Sequence, residues 1–131
     1  MTIKENEPLS KHTNFRIGGA ARWFVEARSE DELREAIAFA EEKGVSFCVT
    51  GGGSNTLAND EGYAGVVIQM AMRQVAIDGT TVVAEAGAMS AMVARQTADA
   101  GLAGMEWAIS LPGTIGGAVR GNAGCFGGET G

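Results

Sequence analysis

Cysteine is scarce in this 131-residue chain: Cys48 and Cys125 stand 77 positions apart. Neither belongs to a Cys-x-x-Cys pair or has histidine at ligand spacing, which argues against a zinc site and leaves two reduced thiols as the expectation. No metal is expected. Basic residues are also few, 10 Lys and Arg against 16 Asp and Glu, for a net charge of −6 and a pI near 4.7. Without a Lys or Arg cluster the chain lacks the cations that a nucleic-acid surface needs, and no nucleic-acid partner is expected. Long apolar runs are missing too. None approaches 18 residues, so no membrane span is expected, and the polar start "MTIKENEPLSKHTN" lacks the apolar core of a secretory leader. These absences point to a cytoplasmic location.

Glycine is present in excess, 20 of 131 residues, about twice the usual share of roughly 7%. Eight of the twenty fall between Gly113 and Gly131 without a three-residue period, which excludes collagen and indicates a local loop requirement.

The length suits one domain built around a single core or two small layers. Trp23 to Arg28, "WFVEAR", reads as a strand. Ser29 with Glu32 three positions on is a capping-box signature, and Leu33, Ala36, Ile37 and Ala40 follow at helical spacing until Gly44 stops the helix. Val45 to Thr50, "VSFCVT", reads as a second strand, so the opening unit is βαβ with the helix as a crossover between strands expected to be parallel. Gly65 to Met70 reads as a third strand. Asp78-Gly79 between two apolar segments is a hairpin signal, and Ser90 to Ala100 reads as a second helix, capped at Ser90 and ended by Gly101. The change of pattern near Gly65 divides a small βαβ subdomain, about residues 1–64, from a mainly antiparallel one, about 65–131.

Two glycine-rich segments carry the chemistry. "VTGGGSNTL", Val49 to Leu57, sits at the carboxyl end of a strand, where open α/β arrangements bind ligands. Successive N–H groups in such a turn can converge on an anion, with Ser54, Asn55 and Thr56 adding polar side chains. It is neither common nucleotide fingerprint: Thr56 stands where the Rossmann motif needs glycine, Gln69 lies where its acidic residue would fall, and no Gly-Lys-Ser/Thr follows. "SLPGTIGGAVRGNAG", Ser110 to Gly124, is the second segment. A pair of turns around a small helix would account for it; with the first segment it favours a long phosphate-containing ligand gripped at two places.

"HTNFRIGG" (12–19), "VTGGGSNTL", "AEAGA" (84–88) and "LPGTIGGAVRGNAGCFGGE" (111–129), in that order and spacing, closely resemble the UDP-N-acetylenolpyruvoylglucosamine reductase family. The resemblance implies an α+β FAD-binding domain of the vanillyl-alcohol-oxidase (PCMH) type and corresponds to the amino-terminal part of that family. By this resemblance Gly51, Gly52, Gly53, Ser54 and Asn55 would hold the FAD pyrophosphate through backbone amides, with Leu57 beside them. Pro112, Gly113, Thr114, Gly116, Gly117 and Ala118 would form a second wall along the cofactor; Arg120, Asn122, Ala123 and Gly124 would lie toward the isoalloxazine ring. Gly87 and Thr13 to Phe15 would add further lining. FAD would be bound non-covalently, His12 being a structural or surface residue, and Cys125 a small buried thiol.

The resemblance further implies that NADPH reduces the flavin and that hydride then passes to UDP-N-acetylglucosamine enolpyruvate, a UDP-sugar, giving UDP-N-acetylmuramate for peptidoglycan. No residue here takes the family's catalytic roles. The only tyrosine, Tyr63, precedes Ala64 rather than an arginine, and the family's arginine, serine and glutamate are expected beyond Gly131, with the substrate domain. Another FAD-linked oxidoreductase of the same fold, or a non-catalytic flavin-binding module, are the alternatives.

Overall fold

The computed structural model describes residues Met1–Gly131. The chain divides into two compact units, Met1–Ala71 and Met72–Gly131.

In the first unit, β1 (Ile3–Pro8), β2 (Ala20–Ala27), β3 (Phe47–Thr50) and β4 (Tyr63–Met70) form one sheet in the order β1-β2-β4-β3. The two strands flanking helix α1 (Glu30–Glu42) are parallel, as the βαβ reading expects, yet they are not neighbours: β4 inserts between them and pairs in parallel with both. Alternation along β2 and β4 sorts the core onto two faces. Trp23, Val25, Ala27, Val66 and Ile68 face α1, meeting Ala36 and Ala40, while Phe24 and Val67 occupy the opposite face with Ala21.

Helix α1 is bounded as its sequence prescribes. Ser29 Oγ accepts from the Glu32 N–H at 3.2 Å. The reciprocal arm of the capping box shifts by one residue, the Glu32 carboxylate accepting from the Arg28 N–H at 2.8 Å. At the other end Gly44 adopts φ +63°, Val45 N–H donates to Ala40 and Gly44 N–H to Glu41, closing a Schellman turn. Replacing Ser29 by alanine should therefore cost about 1 kcal/mol, read as a lowered urea midpoint with unchanged slope.

Two expectations are corrected. The polar start holds β1, antiparallel to β2, which the sequence reading left without structure. It is an edge strand whose Lys4, Glu5 and Asn6 are exposed, so it shows little apolar alternation. Met70 and its strand belong to the first unit, so the division falls at Ala71/Met72 rather than near Gly65: Val66 to Met70 pair with β2, and Val66 to Gln69 with β3.

The second unit is built of β5 (Val75–Asp78) and β6 (Thr81–Ala84), a hairpin turning at Gly79, then α2 (Ser90–Asp99), α3 (Ile115–Gly121) and a short hairpin of β7 (Gly124–Cys125) and β8 (Gly128–Glu129). Its core joins Ala94, Ala108, Leu111 and Ala118, with Cys125 packed against them. Gly101 ends α2 at φ +76° as expected. Ser90 is not its cap: Met89 holds that position, and Ser90 is the first helical residue with a buried hydroxyl that has no partner. No helix is long and apolar enough to cross a membrane.

Candidate functional site

In the first unit the chain leaves β3 through the triple glycine. Because β2, β4 and β3 are parallel, Gly51 emerges beside the carboxyl end of β4, and Gln69 Nε2 donates to the Gly51 carbonyl at 3.2 Å. Residues of the return path, Thr56 to Asn59, together with Leu9, His12, Phe24, Cys48 and Val67, enclose a cavity of about 210 Å³ over the sheet face that α1 leaves open.

Gly53 shows why glycine is required there. Its φ is +74°, and a Cβ would overlap the His12 carbonyl oxygen and lie 3.0 Å from Thr13 Cα. Asn14 N–H donates to the Gly53 carbonyl at 3.0 Å, so the loop and the 12–14 segment are laced together main chain to main chain. That segment is itself anchored: the His12 ring stacks on Phe24 with centroids 3.9 Å apart, and His12 Nε2 lies 3.0 Å from Glu7 Oε1. The hydrogen bond with His12, outweighing the burial that opposes it, holds the Glu7 carboxyl below the usual range, with Lys11 adding to the effect.

On the outer side of this junction lies a cavity of about 810 Å³, lined by Ser10, Lys11, His12, Thr13, Asn14, Arg16, Gly52 and Gln69. The amides of Gly52, Gly53, Ser54 and Asn55 donate to no carbonyl in the turns and loops of the chain. Thr13 Oγ1 is buried without a hydrogen-bond partner. A concavity lined by Gly52 of the glycine loop, by Thr13 with its buried hydroxyl and by the unpaired cation Arg16 suits a phosphate-bearing anion, which is the chemistry a diphosphate presents. The residues of this unit thus fit the pyrophosphate of FAD.

The second-unit residues form a different arrangement. The segment from Ala86 to Ser90 runs antiparallel to Gly113–Gly116: Ser90 N–H donates to Gly113, Ile115 N–H to Ala88, and Gly116 N–H to Ala86. Gly87, buried in this pairing, thus comes together with Gly113, Thr114 and Gly116. Their sequence signature has reasons internal to the unit. A Cβ on Gly116 would sit 2.9 Å from the Ala86 Cβ, and one on Gly124 would sit 2.9 Å from the Gly128 carbonyl. Thr114 caps α3, its Oγ1 accepting from Gly117 N–H at 3.4 Å. Asn122 is the left-handed cap of the same helix at φ 46°, its Oδ1 accepting from Gly131 N–H at 3.0 Å. Ala118 is buried in the core, whereas Pro112, Gly117, Arg120 and Gly124 are exposed and Ala123 half-buried. The amides of Ile115 to Ala118 are thereby engaged within the chain. By the same measure as in the first glycine loop, the amides of Gly87, Gly113 and Thr114 donate to no carbonyl in the turns and loops of the chain.

Gln69, Lys11 and Arg16 had no site role in the sequence reading. In sequence Gln69 stands out only as a departure from the Rossmann pattern; its position beside Gly51 follows from β4 inserting next to β3, which spacing does not reveal. The other two stand next to the His12–Asn14 segment, and that adjacency was the available signal. No group of three or more His, Cys, Asp or Glu side chains is placed to hold a metal ion.

A family model described as "FAD binding domain" matches residues 21–131. UDP-N-acetylenolpyruvoylglucosamine reductase of Rubrobacter xylanophilus is 47% identical over 97% of this chain and 43% of its own length. The reductase of the same name from Chloroflexus aggregans is 41% identical over 99% of this chain and 45% of its own. Among solved structures, the UDP-N-acetylenolpyruvylglucosamine reductase (MurB) of Thermus caldophilus superposes with a TM-score of 0.73 at 34% identity, covering 98% of this chain and 44% of that one. The chain thus spans less than half the length of these relatives. It belongs to the FAD binding domain family, and over nearly its whole length it is similar to UDP-N-acetylenolpyruvoylglucosamine reductases.

Proposed function

We propose that this chain is the FAD-binding part of a UDP-N-acetylmuramate dehydrogenase, acting with NADPH on the UDP-sugar UDP-N-acetylglucosamine enolpyruvate in cytoplasmic peptidoglycan synthesis. The observation that carries the reading is the glycine loop: its amides from Gly52 to Asn55 donate to no carbonyl in the turns and loops of the chain, and Gly52 lines a cavity together with Thr13, Lys11 and Arg16. Bound FAD would supply hydride transfer between NADPH and the enolpyruvyl double bond. The chain's contribution is binding and orientation. Gly52, Gly53, Ser54 and Asn55 direct N–H groups to the pyrophosphate, Gln69 fixes the Gly51 carbonyl and so the start of the loop, and Asn14 fixes its middle through Gly53. Gly87, Pro112 to Thr114, Gly116 to Ala118, Arg120 and Asn122 to Gly124 are proposed as further cofactor contacts, with Leu57 beside the loop. Residues that would polarise the substrate or deliver a proton are not assigned within Met1–Gly131.

Titration with FAD tests the reading. Ligand at 100 times its dissociation constant should stabilise the chain by about 2.7 kcal/mol, raising Tm by roughly 10 °C. A melting temperature indifferent to FAD, with no flavin retained on gel filtration, would remove the proposal.

A further inference from the structure

We propose that Arg16 is an anion-contact residue of the first-unit cavity, its guanidinium meeting a phosphate oxygen of the ligand opposite the Gly52 amide. The inference rests on the preceding reading that this cavity takes the phosphate-bearing part of FAD, and it adds a side-chain cation to what backbone amides supply.

Its place on the cavity wall and its pairing state converge on it. Arg16 lines the cavity together with Gly52, Lys11 and Thr13. The other cation of the cavity wall is already paired: Lys11 Nζ lies 3.7 Å from Glu7. Arg16 makes no ion pair with any carboxylate of the chain. In a chain of net charge −6 an unpaired cation on a concave wall is the local field that an anionic ligand requires.

The backbone makes the same point. Arg16 sits at φ +54°, in the left-handed region that glycine and asparagine enter far more readily. The conformation is fixed by the Arg16 N–H donating to the Thr13 carbonyl at 3.2 Å, a tight turn that brings the arginine back over the residue whose buried hydroxyl lacks a partner. A strained arginine where asparagine would be cheaper is explained if its side chain works. Guanidinium is the side chain best matched to phosphate oxygens.

The test uses Arg16→Asn in the chain Met1–Gly131, because asparagine removes the charge while tolerating the left-handed backbone, so the urea midpoint should hold or rise. FAD affinity is measured by fluorescence titration at several salt concentrations, with Lys4→Gln as a control for loss of one positive charge that is paired with Glu26 and does not line the cavity. The expected result is a dissociation constant raised about tenfold in Arg16→Asn, a shallower dependence of affinity on salt, and no change in Lys4→Gln. Inorganic pyrophosphate should compete with FAD on the unsubstituted chain and compete more weakly on Arg16→Asn. If the unsubstituted chain binds FAD and Arg16→Asn binds it equally, with the same salt dependence, the inference is overturned while the flavin reading stands. Equal weakening by Lys4→Gln would reduce the effect to net charge and overturn it as well. A chain that takes up neither FAD nor pyrophosphate would end both.

Discussion

Gly53→Ala should unfold the glycine loop and cost roughly 2–5 kcal/mol, a large part of the 5–15 kcal/mol that holds a domain together. Two costs combine. The left-handed conformation at φ +74° charges an L-residue about 1–2 kcal/mol, and the new methyl overlaps the His12 carbonyl, a main-chain atom that cannot swing aside, adding about 1–3 kcal/mol of overpacking. Relief would require parting the loop from residues 12–14, which breaks the Asn14–Gly53 hydrogen bond and moves Gly52 away from the cavity wall. FAD uptake should therefore disappear even in the fraction that remains folded. Gly44→Ala supplies the comparison. Gly44 has a similar φ of +63° but open space around its would-be Cβ, so only the backbone cost applies, about 1 kcal/mol, and flavin binding should be untouched. Urea unfolding of both variants beside FAD titration checks the pair; equal destabilisation would mean that the contact with His12 carries no weight.

This comparison also marks what the sequence reveals and what it conceals. Gly44, Gly79 and Gly101 each announce a turn through their local neighbours, and the structure puts all three at positive φ where the pattern changes. Ser29 with Glu32 and the Asp78-Gly79 hairpin are equally local, and they are legible for that reason. The FAD-binding α+β class and the family follow from ordered motifs, without any geometry. Long-range facts are hidden. That β4 enters between β2 and β3 depends on which strand edges meet, a choice that apolar spacing does not encode. The edge strand β1 escapes because its exposed Lys4, Glu5 and Asn6 interrupt the alternation that marks a half-buried strand. In sequence Gly53 reads as a residue that lets phosphate approach; in the fold its missing side chain also admits the His12 carbonyl. Asn122 and Thr114 likewise look like ligand residues in sequence, yet both terminate α3. Cofactor contacts and caps draw on the same glycine, threonine and asparagine chemistry, so a motif alone does not separate them.

Phe24→Ala should produce the other large effect, about 3–5 kcal/mol, and should reach the loop through packing rather than through backbone strain. Phe24 is fully buried on β2, and its ring bridges Val67 in the sheet to the stacked ring of His12. It already borders the cavity of about 210 Å³, so truncation enlarges an existing void instead of creating one that neighbours can fill, which places the cost toward the upper end. His12 would lose its stacking surface while keeping Glu7, and the carbonyl that Gly53 packs against would lose its fixed position. Phe39→Ala is the informative partner. Phe39 packs edge-on against Trp23 at 5.5 Å on the α1 face, so its removal weakens the same sheet from the side away from the loop. Measured at low temperature where both variants remain folded, Phe24→Ala should weaken FAD binding at least tenfold, about 1.4 kcal/mol, whereas Phe39→Ala should lower stability with affinity unchanged. Equal affinities in the two variants would show that the ligand reads the loop independently of the His12–Phe24 stack, and the packing route from core to cofactor would have to be abandoned.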